Sequence, residues 1–180
     1  MEYAVVGWPA DGPRLDLDHE RFAYAGKFAT GRTGKAVARN DGGVVAAASF
    51  NEDRAAAGAL RIRYVTVRED RRGEGIGPRL VAFLADRARA RGYERVRISV
   101  NNAFSFESLS KAGFAYTGEQ TGLAELVMEW PAERTRASYQ AGLDAFRERD
   151  LSSAEASFLA AREGTDPPTV VDASDTSPES

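Results

Sequence analysis

The residues best suited to chemistry lie in one short run, Arg71-Arg72-Gly73-Glu74-Gly75-Ile76-Gly77. Three glycines at alternate positions let the backbone come close to a ligand. The run stands between an alternating segment and an amphipathic one. The helix that follows aims unpaired N–H groups and the positive end of its dipole at the same space. Arg71 and Arg72 add positive charge. Together these features describe a cradle for a phosphate or pyrophosphate; a tight strand–helix turn without a ligand is the competing reading. Spacing rules out two other cradles. The dinucleotide fingerprint G-x-G-x-x-G fails because Gly75-Ile76-Gly77 runs into Pro78-Arg79-Leu80 with no third glycine. The triphosphate loop G-x-x-x-x-G-K-[ST] fails at Gly34-Lys35, where Ala29 and Ala36 occupy both ends of the pattern.

Composition narrows the chemistry further. The chain has 180 residues, the size of one domain or of one domain with a small appendage. Apolar residues make up 43% and charged residues 28%, as in ordinary soluble globular proteins. The absence of cysteine excludes disulfides, thiolate metal sites, iron–sulfur clusters and cysteine nucleophiles. His19 is the one histidine, so multi-histidine metal sites are excluded and no metal is expected. No apolar run approaches the roughly 20 residues of a membrane span, and no membrane partner is expected. The start, MEYAVVGWPADG, has no basic segment and no long apolar one, so a secretory signal is not expected and the cytoplasm is the default location. Net charge is −3, but residues 61–97 hold eleven Arg against five acids, a balance of +6 that leaves −9 for the remainder. A basic island in an acidic chain fits a local anionic ligand and argues against a nucleic-acid partner. A solvated helix face accounts for Arg87, Arg89 and Arg91.

Such a loop needs a strand before it and a helix behind it. Residues 60–67 alternate, with Leu60, Ile62, Tyr64 and Thr66 on one side, and predict a long strand that begins half-exposed and ends buried. Leu80, Val81, Phe83, Leu84 and Ala88 predict a helix, with Pro78 in its first turn and Gly92 at its stop. Upstream, 3–6 reads as a strand and 15–28 as one or two short helices broken by Gly26. Residues 35–39 and 44–50 form a hairpin about Asn40-Asp41-Gly42-Gly43. Downstream, 95–100 is a strand. Asn101 or Asn102 caps a helix over 103–112 that Gly113 stops. Residues 114–117 and 124–130 are the last two strands. The remainder is helical over 133–149, with Tyr139, Leu143 and Phe146 on one face. Ser152-x-x-Glu155 is a capping box opening a second helix, with Ala154, Phe158 and Ala161 inward. The chain thus divides into a domain over 1–131, a helical hairpin over 132–164 and a disordered acidic tail over 165–180.

Val65-x-Val67-x-x-x-x-Arg72-x-x-Gly75-x-Gly77 resembles the acetyl-CoA signature R/Q-x-x-G-x-G/A of the GCN5-related N-acetyltransferases (GNAT). Asn101-Asn102-Ala103, followed by Lys111-Ala112-Gly113-Phe114, resembles that family's second motif, in which a helix ends in a G-F pair. The order of elements over about 1–130 fits as well. The resemblance implies an α/β (α+β) fold, a mixed, mainly antiparallel sheet flanked by helices, here with a C-terminal hairpin added. It implies acetyl-CoA as cosubstrate. Val65, Thr66 and Val67 would bond the pantetheine through their backbone, in a splay between two parallel strands. Amides of Arg72, Gly73, Glu74, Gly75, Ile76 and Gly77, with Arg71 beside them, would hold the pyrophosphate. Asn101 or Asn102 would contact the cofactor arm. An acceptor amine would then attack the thioester directly, in a ternary complex.

The family often places a Tyr shortly before the G-F pair, to protonate the departing thiolate. Glu107-Ser108-Leu109-Ser110-Lys111 holds none. Ser110, through water, and Tyr116, just past the helix, are the candidate acids, and a structural role stands beside each. A positioned acid is worth roughly 10²–10⁴-fold, yet a thiol of pKa about 8.5 also departs without one. Glu52, Asp53, Glu69 and Glu125 are the candidate bases, which sequence does not rank. The need for a base depends on the acceptor: about 0.04% of a lysine amine is neutral at pH 7, against about 14% of an α-amine. His19, Phe22, Tyr24 and Phe28 lie where this family usually forms its acceptor site; a surface histidine and a core stripe are the plainer readings. Gly142, Phe146, Ala154, Phe158 and Ala161, followed by Pro167, resemble one tetratricopeptide-like hairpin. One repeat cannot bury a core alone, so it is expected to dock on the acetyltransferase domain or, as a homodimer, on a second subunit. The missing Tyr motivates a competing function, a catalytically weak CoA-binding module whose hairpin binds a partner protein.

Overall fold

Alternating small and branched residues build an antiparallel ladder from the first half of the chain. The structure, a computed structural model, describes residues 1–171 in two units, Met1–Val96 and Arg97–Val171. In the first unit β1 (Glu2–Gly7), β2 (Gly34–Asn40), β3 (Gly43–Glu52) and β4 (Ala59–Val67) pair in that order, each antiparallel to the one before. Helix α1 (Ile76–Ala90) packs on this ladder and buries Leu80, Val81, Leu84, Ala85 and Ala88. Phe28, Val37 and Ala47 form a second apolar cluster, against which Val6, Leu15, Leu17 and Tyr64 pack. With β5 (Arg95–Val100) and the two strands of the second unit, the described residues hold seven strands and four α-helices, the mixed, mainly antiparallel α+β fold expected. Among the described residues no helix is long and apolar enough to cross a membrane.

The β3–β4 pairing shifts register. Ser49 stands opposite Tyr64 but Phe50 opposite Ile62, so Arg63 is an extra residue on β4. A bulge of this kind bends a strand and re-aims its side chains. The end of β4 departs from expectation. Leu60, Ile62 and Thr66 are buried, whereas Val65 and Val67 remain half-exposed.

The short helices expected over 15–28 do not form. One 3-10 turn, Ala25–Phe28, is present, and Asp18 instead closes a turn by accepting from Glu20 N at 2.9 Å. Leu15 and Leu17 are spaced as a strand would be, not at helical intervals, and Gly26 and Gly31 interrupt any longer helix. Lys35 is completely buried. Its ammonium donates to Thr30 O at 2.7 Å, Thr33 O at 2.8 Å and Thr33 Oγ1 at 2.7 Å, so it ties the covering segment to β2. Burial lowers its pKa.

In the second unit α2 (Ala103–Lys111) leads to β6 (Ala115–Gln120) and β7 (Leu126–Trp130), an antiparallel pair. Then come α3 (Arg136–Arg147) and α4 (Ser153–Ala160). Asn102 caps α2, accepting from Ser105 N at 2.8 Å, and the Ser152/Glu155 capping box opens α4. The hairpin belongs to the same unit as α2. Phe106 of α2 stacks on Tyr139, centroids 5.9 Å apart, and meets Phe146 edge-on at 5.8 Å. The inward face of α4 differs from expectation: Leu159 is buried and Phe158 half-buried, while Ala154 and Ala161 are exposed. The helix is only eight residues long, and its contact with α2 runs through Phe158 against Phe104, centroids 4.8 Å apart. The tail expected from 165 onward is bonded to this unit over its first residues. Arg136 Nε meets Asp166 Oδ1 at 2.8 Å, Arg134 donates to Pro168 O at 2.6 Å, and Val171 N donates to Lys111 O at 2.8 Å. Residues 172–180 of that tail lie outside the described residues.

A buried polar group joins α2 to the hairpin. Tyr139 Oη donates to Glu107 Oε2 at 2.5 Å, and Arg162 Nε lies 3.3 Å from the same oxygen. Burial, and then the Glu107 carboxylate, push the Tyr139 phenol well above the usual tyrosine range. A phenol whose pKa rises on folding contributes stability that is complete below about pH 10 and is lost as pH climbs through the folded value. Tyr139→Phe is therefore expected to flatten part of the fall in urea midpoint above about pH 10. An identical alkaline slope in the variant would remove Tyr139 as its source.

Candidate active site

The chain leaves β4 at Val67, passes through the 3-10 turn Glu69–Arg71 and enters α1 at Ile76. Gly73 and Gly75 adopt φ of 82° and 79°, a left-handed region that other residues avoid. Gly75 is the N-cap of α1 and offers no side chain, so the first N–H groups of the helix have no intrahelical or capping partner. A Cβ on Gly73 would meet nothing within 4 Å, so the space beside it is open. A Cβ on Gly75 would lie 2.9 Å from Arg79 Nη1, and one on Gly77 3.4 Å from Val67 Cγ2. The start of α1 thus rests on the end of β4, with the glycine loop between them. Such a nest of N–H groups is suited to a pyrophosphate.

The arginines around the loop are bonded differently. Arg71 forks onto Glu74, with Nε to Oε2 at 2.9 Å and Nη2 to Oε1 at 3.2 Å. That bond raises its pKa and cancels much of its charge. Arg72 Nε donates to Val67 O at 3.3 Å. Arg79, which the sequence reading did not select, places Nη1 3.0 Å from Glu74 O. Its signal was the four-residue spacing from Gly75, which puts it on the loop side of the first turn. Tyr3 is a second addition. Its ring lies 6.1 Å from that of Phe83, and burial raises its phenol pKa against the pull of Arg79 and Arg71. Nothing in its sequence context marked it.

The upstream candidates separate cleanly. Phe22 and Phe28 belong to the core, whereas Tyr24 is 59% exposed and His19 is exposed. Among the candidate bases of this unit, Asp53 is buried, lies 3.7 Å from Arg61 and accepts from Ala55 N at 2.8 Å. Glu52 accepts from Tyr93 Oη at 3.3 Å, and Glu69 is exposed.

In the second unit the motif residues take distinct roles. The Asn102 side chain is committed to capping α2. Asn101 is exposed; its Oδ1 accepts from Asn102 Nδ2 at 3.0 Å and its carbonyl from Arg149 Nη1 at 2.9 Å. Ser110 is buried, its hydroxyl donates to Phe106 O at 2.8 Å and its carbonyl accepts from Arg134 at 2.8 Å. Tyr116 is half-buried opposite Met128 and lines a small cavity with Phe106, Phe114 and Arg134. Glu125 Oε1 accepts from Thr121 Oγ1 at 3.3 Å.

A strand end, a glycine-rich loop and an uncapped helix start stand together on an α+β scaffold, an arrangement suited to a phosphate group. The profile of the acetyltransferase (GNAT) family matches residues 2–114, more than half of the chain, and the chain belongs to that family. Solved structures similar to it include an N-acetyltransferase from Staphylococcus aureus Mu50, 23% identical over 54% of this chain and 66% of that one, with a TM-score of 0.47. A ribosomal-protein-alanine N-acetyltransferase from Brucella melitensis is 26% identical over 54% of this chain and 67% of that one, with a TM-score of 0.43. An acetyltransferase from Bacillus subtilis in complex with CoA is 15% identical over 54% and 75%, with a TM-score of 0.47. The chain spans about two thirds of the length of the first two. No curated protein matches it.

Proposed function

We propose that the protein is an acetyl-CoA-dependent N-acetyltransferase that moves the acetyl group to a primary amine in a ternary complex. The observation that carries this reading is the loop at 73–77, where left-handed Gly73 and Gly75 open an uncapped helix start beside the half-exposed end of β4. The amides of this loop, with Arg72 and Arg79, would hold the pyrophosphate. The backbone of Val65, Thr66 and Val67 would hold the pantetheine, and the exposed Asn101 would supply a side-chain contact to it. The amine nitrogen attacks the thioester carbonyl, a C–N bond forms and the C–S bond breaks. The thiolate takes up one proton and the new amide nitrogen gives one up. Ser110 is assigned a structural role, because its hydroxyl already donates within α2. Tyr116 is the remaining candidate acid, and a thiol with a pKa of about 8.5 departs readily even from solvent.

The committed hydroxyl of Ser110 also favours a second reading, a CoA-binding module of weak catalytic power. Binding does not separate the two readings, but acetyl transfer does. Thermal unfolding with acetyl-CoA, CoA, ATP and NAD is the first experiment. A ligand at 100 times its Kd adds about 2.7 kcal/mol, a shift of roughly 5–10 °C at this size. We expect that shift with acetyl-CoA and CoA alone, followed by thiol release with a panel of amines. A larger shift with ATP or NAD would overturn the reading, and CoA binding without thiol release would select the weak module.

A further inference from the structure

We propose that the acceptor amine carries an anionic group, a carboxylate or a phosphate, and that Arg63 at the β4 bulge receives it. The proposal rests on the acetyltransferase reading, because that reading fixes where the thioester lies. The pyrophosphate loop follows the C-terminal end of β4. An arm held along Val67, Thr66 and Val65 therefore runs back up the strand, and its thioester end reaches Tyr64 and Arg63.

At that point β4 carries its extra residue, Arg63. The side chain is exposed, and its Nε donates to Asn51 Oδ1 at 2.8 Å. That bond fixes the direction of the guanidinium. Among the described residues no other hydrogen bond or ion pair engages it, which leaves both terminal nitrogens available to a ligand. Its charged neighbours are Arg61, Arg54 and a single acid, Asp53. Asp53 is buried and turned toward Arg61, 3.7 Å away. Next along the strand, the Tyr64 ring has the Tyr24 ring 5.4 Å away and Lys27 Nζ 5.8 Å from its centroid. Tyr24 holds this place with a left-handed backbone, φ 60°, which costs a non-glycine residue stability and persists only where its surroundings impose it.

Among the described residues the acceptor end of the strand is thus cationic and aromatic, with the carboxylate of Asp53 enclosed. A bare ammonium is repelled there, whereas a carboxylate or phosphate beside the amine finds the planar fork of a guanidinium. The same surround favours the neutral amine, the form that attacks. Each unit by which neighbouring cations lower an amine pKa gives about ten times more free base near neutral pH.

The test uses matched amines that differ only in the anion: L-phenylalanine against 2-phenylethylamine for a carboxylate, and O-phosphoethanolamine against ethanolamine for a phosphate. Binding to the full chain saturated with CoA is measured by calorimetry, and acetylation by thiol release from acetyl-CoA. At least one anion-bearing amine is expected to bind, and to be acetylated, at least tenfold better than its partner that lacks the anion. Which pair shows the preference tells carboxylate from phosphate. Arg63→Met is expected to bring that ratio close to one, and Arg63→Lys to restore part of it; CoA affinity in the same titrations reports that both variants are folded. Equal or better binding of both amines that lack the anion, no binding of any of the four, or an equal loss for both members in Arg63→Met overturns the proposal. Failure of the wild-type chain to bind CoA overturns the acetyltransferase reading instead.

Discussion

Gly75→Val is expected to weaken binding of CoA and acetyl-CoA at least 100-fold while leaving the protein folded. Position 75 has φ 79°, and a β-branched residue held there carries roughly 1–3 kcal/mol of strain. The loop relieves that strain by turning the chain, and the first N–H groups of α1 then aim elsewhere. The new Cβ would also come within 2.9 Å of Arg79 Nη1, pushing that guanidinium off Glu74 O. A hydrogen bond to a charged group contributes about 1.5–3 kcal/mol, so losing two of them exceeds 100-fold in affinity. Gly118→Val is the control. Gly118 has φ 89° in β6 and open space around its Cβ position, so it suffers the same backbone strain far from the loop in sequence. Calorimetric titration with CoA checks both variants. A folded Gly75→Val that binds CoA within threefold of wild type would show that the pyrophosphate does not sit on this backbone.

Gly142→Leu is expected to be the most destabilising change in the second unit, by about 3 kcal/mol or more, at the upper end of overpacking effects. A Cβ at 142 would fall 2.3 Å from Cζ of Phe106 and 2.4 Å from its Cε2. The ring has no room to retreat. Phe106 is 1% exposed and lies between Tyr139 and Phe146, at 5.9 and 5.8 Å. For a chain of this size the melting temperature is expected to fall by roughly 6–12 °C. Phe106→Ala in the same chain is expected to recover part of the loss, as coupling between touching residues requires. A melting temperature within about 2 °C of wild type for Gly142→Leu would mean that α3 does not lie on Phe106.

What could be read in advance follows the range over which the physics acts. The loop at 71–77 was legible because glycine spacing, a strand period and a helix period all act within a few residues. The Asn102 cap and the Ser152/Glu155 box were legible for the same reason. Long-range contacts left weaker traces. Tyr3 is placed by packing against Phe83, a contact between residues eighty positions apart. The half-exposed Val65 and Val67 were misjudged because alternation tells which side a residue faces, not whether that side is covered. The helices expected over 15–28 do not form because Gly26 and Gly31 break the run, while Phe22 and Phe28 reach the core from turns. In α4 the apolar alanines fitted a repeat pattern, yet Leu159 took the buried position.

The fit of Gly142 over Phe106 also bears on the history of the chain. A cassette that can be gained or lost freely leaves its neighbour with a surface already suited to water. Here α2 presents to α3 a buried aromatic ring and, beside it, the Glu107 carboxylate, whose proton donor is Tyr139. Arg149, past the end of α3, completes the bonding of the Asn101 and Ala124 carbonyls. A lineage that shed the hairpin would strand all of these groups at once. The appendage and the second motif are therefore bound to change together, and a relative without the hairpin should carry different residues at the positions of Phe106 and Glu107.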